Sequence, residues 1–327
     1  MFDIYGIGNA LVDAEVDVAE KTLADLGIEK GLMALIEEDR LKELNAGFEG
    51  RQIRRACGGS AANTIISSTM LGTQNYFSSK VASDEMGRFY IKDLKDHEVS
   101  TNMSEDSAQA GTTGTCFVLI TPDADRSMNT FLGITSQFSI ADLNETALGE
   151  SKYLYIEGYL VCTKPSLEAA LKAKEIAKAK GVKTALSLSD PSIVEFFYDD
   201  MSKLVAETDI IFCNKDEALA FTKTADLSSA VSELRKLVPL CAITLGADGA
   251  LIVTKSEQLS ISGFDVKAVD TTGAGDSFAG GFLAALAKGQ SLEEAGKLGC
   301  YISSRVVSTF GPRLQEKHLS EVISFSS

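Results

Sequence analysis

The chain has 327 residues, 45 % of them hydrophobic and 24 % charged, with a net charge of −15. That composition supports a large packed core and excludes a disordered chain, and the negative field argues against nucleic acid and anionic membrane surfaces as partners. No apolar run approaches the roughly 18 residues of a membrane span, and no basic region precedes an apolar stretch at Met1-Phe2-Asp3, so no secretory signal is read there. Six scattered cysteines without a Cys-x-x-Cys pair point to free thiols in a reducing compartment, and a cytoplasmic location is expected. His97 and His318 are the only histidines, which disfavours a zinc site or a His-based triad.

In chain order, residues 2–8 predict a buried strand. Residues 11–18 alternate Val12, Ala14, Val16 and Val18 with Asp13, Glu15 and Asp17, a period of two that gives a strand with one wet face. Residues 61–71 predict a helix and 76–81 a strand. Residues 112–121 predict another strand, ended by a Pro122-Asp123 turn. Residues 167–180 form an amphipathic helix with Gly181 as its stop, and 182–188 a strand. Residues 209–213 predict a strand followed by a helix near Glu217, and 241–245 and 251–254 two more strands. Residues 276–288 predict a helix stopped at Gly289. The rhythm implies a doubly wound, mostly parallel sheet with helices on both faces. The two alternating segments, 11–18 and 112–121, stand outside it: they form either a small separate sheet, usable as a lid, or an edge extension of the main one.

Four motifs carry candidate chemistry. Asp270-Thr271-Thr272-Gly273-Ala274-Gly275-Asp276 runs small residues into a helix. The amides at such a start, with the helix dipole, make an anion site, and Asp276 beside it could take a proton from an attacking hydroxyl. The competing reading is an Asp that caps its helix. Cys57-Gly58-Gly59-Ser60-Ala61-Ala62-Asn63 pairs glycines that admit a ligand close to the backbone with polar Ser60 and Asn63. Taken alone it reads better as a strand-turn-helix junction, with Arg51, Arg54 and Arg55 just upstream as a solvated face. Asn214-Lys215-Asp216-Glu217 could hold magnesium through water or be a capping box, and alone the cap is favoured. Thr244-Leu245-Gly246-Ala247-Asp248-Gly249 is a hairpin turn or a rim for a nucleotide, and alone the hairpin is favoured. Gly6-Ile7-Gly8 lacks the third glycine and the following helix of a dinucleotide fingerprint, and no Walker A sequence occurs.

Together and in this order, these motifs resemble the ribokinase/PfkB family of carbohydrate and nucleoside kinases, over residues 3–312, and the joint match outweighs the separate structural readings. Within the family the chain is similar to the adenosine kinase branch. Gly8-Asn9-Ala10-Leu11-Val12-Asp13, Thr113-Gly114-Thr115-Cys116, Asp125-Arg126-Ser127, Tyr155-Ile156-Glu157-Gly158-Tyr159 and Leu188-Ser189-Asp190-Pro191 carry that likeness. It departs at Ala10, where the branch has Pro; at Met33, where Gln is common; and at Tyr159, where Phe is usual.

The resemblance implies a ribokinase-like α/β fold with a large domain of residues 1–10, 56–108 and 131–327, and a small β lid of residues 11–55 and 109–130. It implies ATP and Mg²⁺ and transfer to a primary hydroxyl, with adenosine the leading acceptor and inosine, guanosine or a sugar as alternatives. Asp276 would be the base, aided by Gly273, Ala274, Gly275 and Arg126 around the transferred phosphate. Asn9, Asp13, Gly58, Gly59, Ser60, Asn63, Cys116 and Tyr159 would hold the acceptor. Asn214, Thr244, Gly246 and Gly249 would hold the nucleotide, and Glu217 the Mg²⁺ through water. Activation by K⁺ is common in the family, with residues near Asp270 and Ser304 as candidates. A monomer or a homodimer through the lid is expected. Residues 12–18 are a candidate exposed edge, although their acidic side chains disfavour pairing. A non-catalytic nucleoside sensor and an NAD-dependent oxidoreductase are the rival classes.

Overall fold

The computed structural model describes residues 1–123 and 125–325. Its strands in chain order are β1 (Phe2–Ile7), β2 (Leu11–Asp17), β3 (Met33–Leu35), β4 (Arg54–Cys57), β5 (Asn75–Ser78), β6 (Ser100–Thr101), β7 (Gly114–Ile120), β8 (Arg126–Phe131), β9 (Ser151–Glu157), β10 (Lys183–Ser187), β11 (Ile210–Asn214), β12 (Leu240–Thr244), β13 (Ala250–Thr254) and β14 (Gln258–Ile261). They sort into a nine-stranded sheet, β14-β13-β12-β11-β10-β9-β1-β5-β6, and a five-stranded sheet, β3-β8-β7-β2-β4.

The large sheet is parallel from β6 to β12. Only the β12–β13 and β13–β14 pairs are antiparallel. Its strands are apolar on both faces because helices cover both. Ile4, Tyr155, Ala185, Phe212, Ala242 and Ile252 pack on one side, against the helices Ser60–Met70, Ala274–Ala287 and Leu292–Val307. Tyr5, Ile156, Leu186, Ile211, Ile243 and Val253 pack on the other, against Lys164–Lys180, Tyr198–Val205 and Leu227–Leu237. Register keeps each set together: Phe212 lies opposite Ala242, and Ile211 opposite Cys241. A one-residue slip would exchange the two faces.

Glycine sets the spacing of one helix pair. A Cβ on Gly280 would lie 2.6 Å from the Thr64 carbonyl oxygen and 2.8 Å from the Ser67 Cβ. The helices Ser60–Met70 and Ala274–Ala287 therefore approach backbone to backbone. The helix stops fall as the glycines dictate: Gly181, at φ +73°, closes Lys164–Lys180, and Gly289, at φ +80°, follows the end of Ala274–Ala287.

The two alternating segments belong to the separate five-stranded sheet, not to an extension of the main one. Its outer core holds Ala14, Val16, Phe117 and Leu119, covered by Leu41, Leu44 and Phe48 around the helix Glu38–Gly47. One expectation is overturned here. The segment 12–18 is not an exposed edge, because β2 is paired on both sides, parallel to β7 and antiparallel to β4. The edges are β3 and β4. Nor is the acidic face simply wet. Arg54 donates to Asp17 at 2.6 Å and pairs with Glu15 at 3.4 Å, while Asp13 turns into a cavity. Arg54 and Arg55 are exposed on β4, as their sequence suggests, Arg55 pairing with Glu85.

Candidate active site

A cavity of about 900 Å³ lies between the two sheets. One wall is built from the carboxyl ends of parallel strands, where an open α/β sheet offers its binding crevice: Glu157 ends β9, Ser187 ends β10, Asn214 ends β11 and Thr244 ends β12. The opposite wall comes from the small sheet: Asp13, Met33, Leu35, Cys116, Arg126 and Met128. The loop 268–273, with the helix start that follows it, closes one end.

The helix after that loop begins earlier than its sequence suggests, at Ala274. Gly273 is its N-cap in the left-handed region, φ +74°, and a Cβ there would collide with the Pro312 carbonyl oxygen. Asp276 thus stands inside the first turn, and no side chain caps the helix. Asp276 is therefore not the cap of its helix. Its carboxylate turns away from its own helix and accepts from Ser60 Oγ at 2.6 Å (Oδ1) and Asn63 Nδ2 at 3.0 Å (Oδ2). Burial raises its pKa, while the bonds from Ser60 and Asn63 and the Arg313 charge pull it down. The Ala274 amide points back to the Thr271 carbonyl at 3.2 Å. The amides of Gly275 and Asp276 belong to the first turn, where a helix offers no acceptor of its own.

The paired glycines bring the acceptor-side residues together. Gly59, at φ +91°, lies so close to the Asn9 carbonyl that a side chain could not fit, and a Cβ on Gly58 would lie 2.6 Å from the Asp13 carboxylate. Asn9 is buried and donates through its backbone N (3.2 Å) and Nδ2 (2.9 Å) to Glu157, which also accepts from the Ala61 amide at 2.8 Å. Glu157 is a node that sequence reading left without a role. It ties the β1–β2 turn to the helix that carries Ser60 and Asn63. Burial pushes it up to about 7, against the pull of those three bonds. Burial also pushes Asp13 up to about 7, with Glu15 adding to the rise and Arg313 and Arg126 opposing it. Cys116 is buried beside Thr130 Oγ1 (3.5 Å), and burial drives its thiol up to about 12. Tyr159 lines the same cavity.

At and just beyond the ends of β11 and β12, Asn214, Thr244 and Gly246 line the cavity. Gly249 lies outside the lining, a correction to its expected role: at φ +99° it is packed against the Ile261 carbonyl and Gly263 amide, and it serves the β12–β13 hairpin. Asn214 and Glu217 form the capping box, with Asn214 N to Glu217 Oε2 at 3.0 Å and Glu217 N to Asn214 Oδ1 at 2.8 Å. The cap does not exclude the cavity, which Glu217 also lines, and burial pushes its carboxyl up to about 7. Among the described residues no cluster of three or more His, Cys, Asp or Glu could hold a metal. Mg²⁺ does not need one, because it keeps waters and takes phosphate oxygens beside one or two carboxylates. A buried, charge-starved carboxylate facing the cavity fits that donor set.

Arg126 reaches from β8 toward the large domain. Its Nη2 lies 3.0 Å from Glu15 and 2.8 Å from Asp270, at angles too poor for hydrogen bonds. Asp270 also accepts from the Thr272 amide (3.0 Å) and the Gly311 amide (2.9 Å). It therefore gathers the small sheet, the helix-start loop and the C-terminal segment at one carboxylate. Ser304 donates to the Tyr301 carbonyl at 2.6 Å. All six cysteines are unpaired, and no helix among the described residues is long and apolar enough to cross a membrane.

The ribokinase-like fold and the proteins it is shared with define a phosphotransferase with an alcohol acceptor. The chain belongs to the pfkB family of carbohydrate kinases, whose model matches residues 32–318. The adenosine kinase from Sinorhizobium meliloti is similar over 99 % of both chains, with 33 % identity and a TM-score of 0.92. Adenosine kinase 2 of Arabidopsis thaliana is 29 % identical over 341 residues, 96 % of each chain. The ribokinase of Haemophilus influenzae is 29 % identical over 284 residues, 84 % of this chain and 89 % of that one. This protein is thus a kinase of nucleosides or sugars, and membership implies ATP as its phosphate donor.

Proposed function

We propose that the chain phosphorylates the primary hydroxyl of a nucleoside, adenosine first, giving AMP and ADP. The observation that carries this reading is Asp276: a first-turn carboxylate that declines to cap its own helix and is held by Ser60 and Asn63 at the junction of acceptor and helix start. The similarity to adenosine kinases supports the choice of acceptor.

In this reading Asp276 takes the proton of the attacking 5′-hydroxyl. The hydroxyl oxygen bonds to the γ-phosphorus as the bond to the bridging β–γ oxygen breaks, and ADP leaves. Such transition states are loose, so positioning and charge stabilisation dominate. The amides of Gly275 and Asp276, with the helix dipole, receive the transferred group, while the Ala274 amide is already bonded to the Thr271 carbonyl. Asn9, Gly58, Gly59 and Asp13 hold the sugar, and Cys116 and Tyr159 face the base. Thr244, Gly246 and Asn214 rim the nucleotide. Glu217 would hold Mg²⁺ through water, and the ion would supply charge neutralisation for the phosphates in a pocket otherwise rich in carboxylates. A K⁺ ion near Asp270 and Ser304 is a further element of the same proposal. Residues 11–55 and 109–130 act as a lid that excludes water on closing, with Arg126 passing from its carboxylates to the transferred phosphate. Six unpaired thiols are in keeping with a reducing cytoplasm.

The test is ADP release from Mg-ATP with adenosine, inosine, guanosine, ribose and fructose 6-phosphate. Strong turnover on adenosine with little on the sugars is expected. Turnover on a sugar alone would overturn the acceptor and leave the transfer chemistry standing, while none on any acceptor would overturn the transfer itself.

A further inference from the structure

Behind Asp276 a chain of polar groups runs from Asn63 to two residues outside every motif, Arg313 and Asp93. Asn63 gives its Nδ2 to Asp276 Oδ2 (3.0 Å), and its Oδ1 accepts from Arg313 Nε at 2.9 Å. Arg313 Nη1 donates to Asp93 Oδ2 at 2.6 Å. Asp93 belongs to the helix Glu85–Asp96, and His97 Nδ1 lies 3.5 Å from its other oxygen. The backbone beside Arg313 is anchored to the same site. The Pro312 carbonyl fills the space where Gly273 has no side chain, and the Gly311 amide donates to Asp270 at 2.9 Å.

We propose that Arg313 is a positioning residue for phosphoryl transfer: anchored by Asp93, it fixes which way the Asn63 amide faces and so holds the Asp276 carboxylate aimed at the attacking hydroxyl. The inference rests on the reading of Asp276 as the proton acceptor. An amide presents an acceptor at one end and donors at the other. With the guanidinium on its oxygen, Asn63 must offer its NH₂ to Asp276. A flipped amide would set its oxygen against a carboxylate and its NH₂ against a cation, so both ends oppose the flip. Ser60 and Asn63 then take one position on each carboxylate oxygen, which leaves the remaining lone pairs to receive the proton.

The Arg313 side chain is 13 % exposed, so its charge acts where water screens it little. Asp13, Glu157 and Glu217, with the phenols of Tyr155 and Tyr159, face Asp276 electrostatically, and Arg313 is the cation that offsets them. Cys57, Tyr90 and His97 surround the Asp93–Arg313 end.

The full-length protein and its Arg313→Met, Arg313→Lys and Asp93→Asn variants test this. Steady-state kinetics against pH, melting temperature, and ¹³C-carboxyl titration of Asp276 in aspartate-labelled protein (assigned with Asp276→Asn) are the measurements. Arg313→Met is expected to lower kcat by about 10- to 100-fold, the scale of a misaimed group, with KM for Mg-ATP within about twofold of wild type. Its acid limb and the Asp276 titration midpoint move to higher pH. Arg313→Lys keeps the charge without the fork, so it recovers the titration midpoint more than kcat. Unchanged kcat and midpoint beside a lowered melting temperature would overturn the proposal. Should Arg313→Met fail to fold, Asp93→Asn, which frees the guanidinium without removing it, is expected to lower kcat with the same split, and wild-type kinetics there would overturn it equally. If the wild type turned over no acceptor, the transfer reading would fall and the Asp276 midpoint alone would judge the relay: shifted in Arg313→Met it stands, unshifted it falls.

Discussion

The two walls of the cavity are made differently. On the large-sheet side, Asp276, Asn63, Glu157 and Asn9 each hold partners at hydrogen-bond distance, and glycines at 59, 273 and 280 bring backbones so close that no side chain would fit. On the small-sheet side, Met33, Leu35 and Met128 present flexible apolar side chains, on strands of which β3 is an edge only three residues long. Thioethers and leucines repack around differently shaped ligands, whereas a hydrogen-bonded carboxylate tolerates little displacement. On the proposed reading, the proton acceptor is rigidly held on one wall, and part of the acceptor pocket is left to a compliant one. That division is consistent with a family that includes both nucleoside and sugar kinases among this chain's relatives.

The sharpest test of that contrast is Asp276→Asn, which should lower kcat by about 10²–10⁴-fold, the usual contribution of a positioned base, and equally for every acceptor. ATP binding by calorimetry should persist, and near-normal turnover would erase the distinction between the walls. Next is Asp13→Asn. A hydrogen bond to a charged group contributes about 1.5–3 kcal/mol, so acceptor KM should rise about 10- to 100-fold with kcat less affected. The wild-type carboxyl ionises near 7 and accepts two hydroxyl donors only when ionised. Acceptor KM should therefore fall as pH rises through about 7, and the variant should lose that dependence. An unaltered pH profile would remove Asp13 from the acceptor site. The smallest effect belongs to Glu217→Gln, since Gln also completes a capping box. The magnesium requirement should rise by about tenfold, at the low end of what outer ligands contribute, with little change in melting temperature. A large loss of melting temperature at unchanged magnesium dependence would return Glu217 to the cap alone.

The elements legible in the sequence were those whose cause is local. Gly181 and Gly289 end their helices because each adopts positive φ, and the Asn214–Glu217 box lies within four residues. Alternation from Val12 to Val18 revealed a strand but could not place it inside its sheet, because that depends on Gly114–Ile120 and Arg54–Cys57 pairing from far along the chain. β3, β4 and β6 are too short for periodicity to declare them. Arg313 lies in no motif and no regular element, and becomes meaningful only where the chain returns past Leu292–Val307 to Gly273. Glu157 ends an apolar strand, where a carboxylate reads as a solvated terminus. Its burial is a property of the β1–β2 turn and helix that meet it. Gly249 went the other way: a glycine inside a motif proved to serve a hairpin.

Gly280 has a consequence for how such a protein can diverge. The helices it holds together carry Asn63 and Asp276 one turn from the seam, so a single added methyl group acts as a wedge between donor and acceptor, from outside the cavity lining. Variation along β3 and β8 can alter what enters the cavity while leaving that gauge untouched. On the proposed reading, descendants of this chain can change their substrate by drift at one jaw, but must inherit the other with its missing methyl intact.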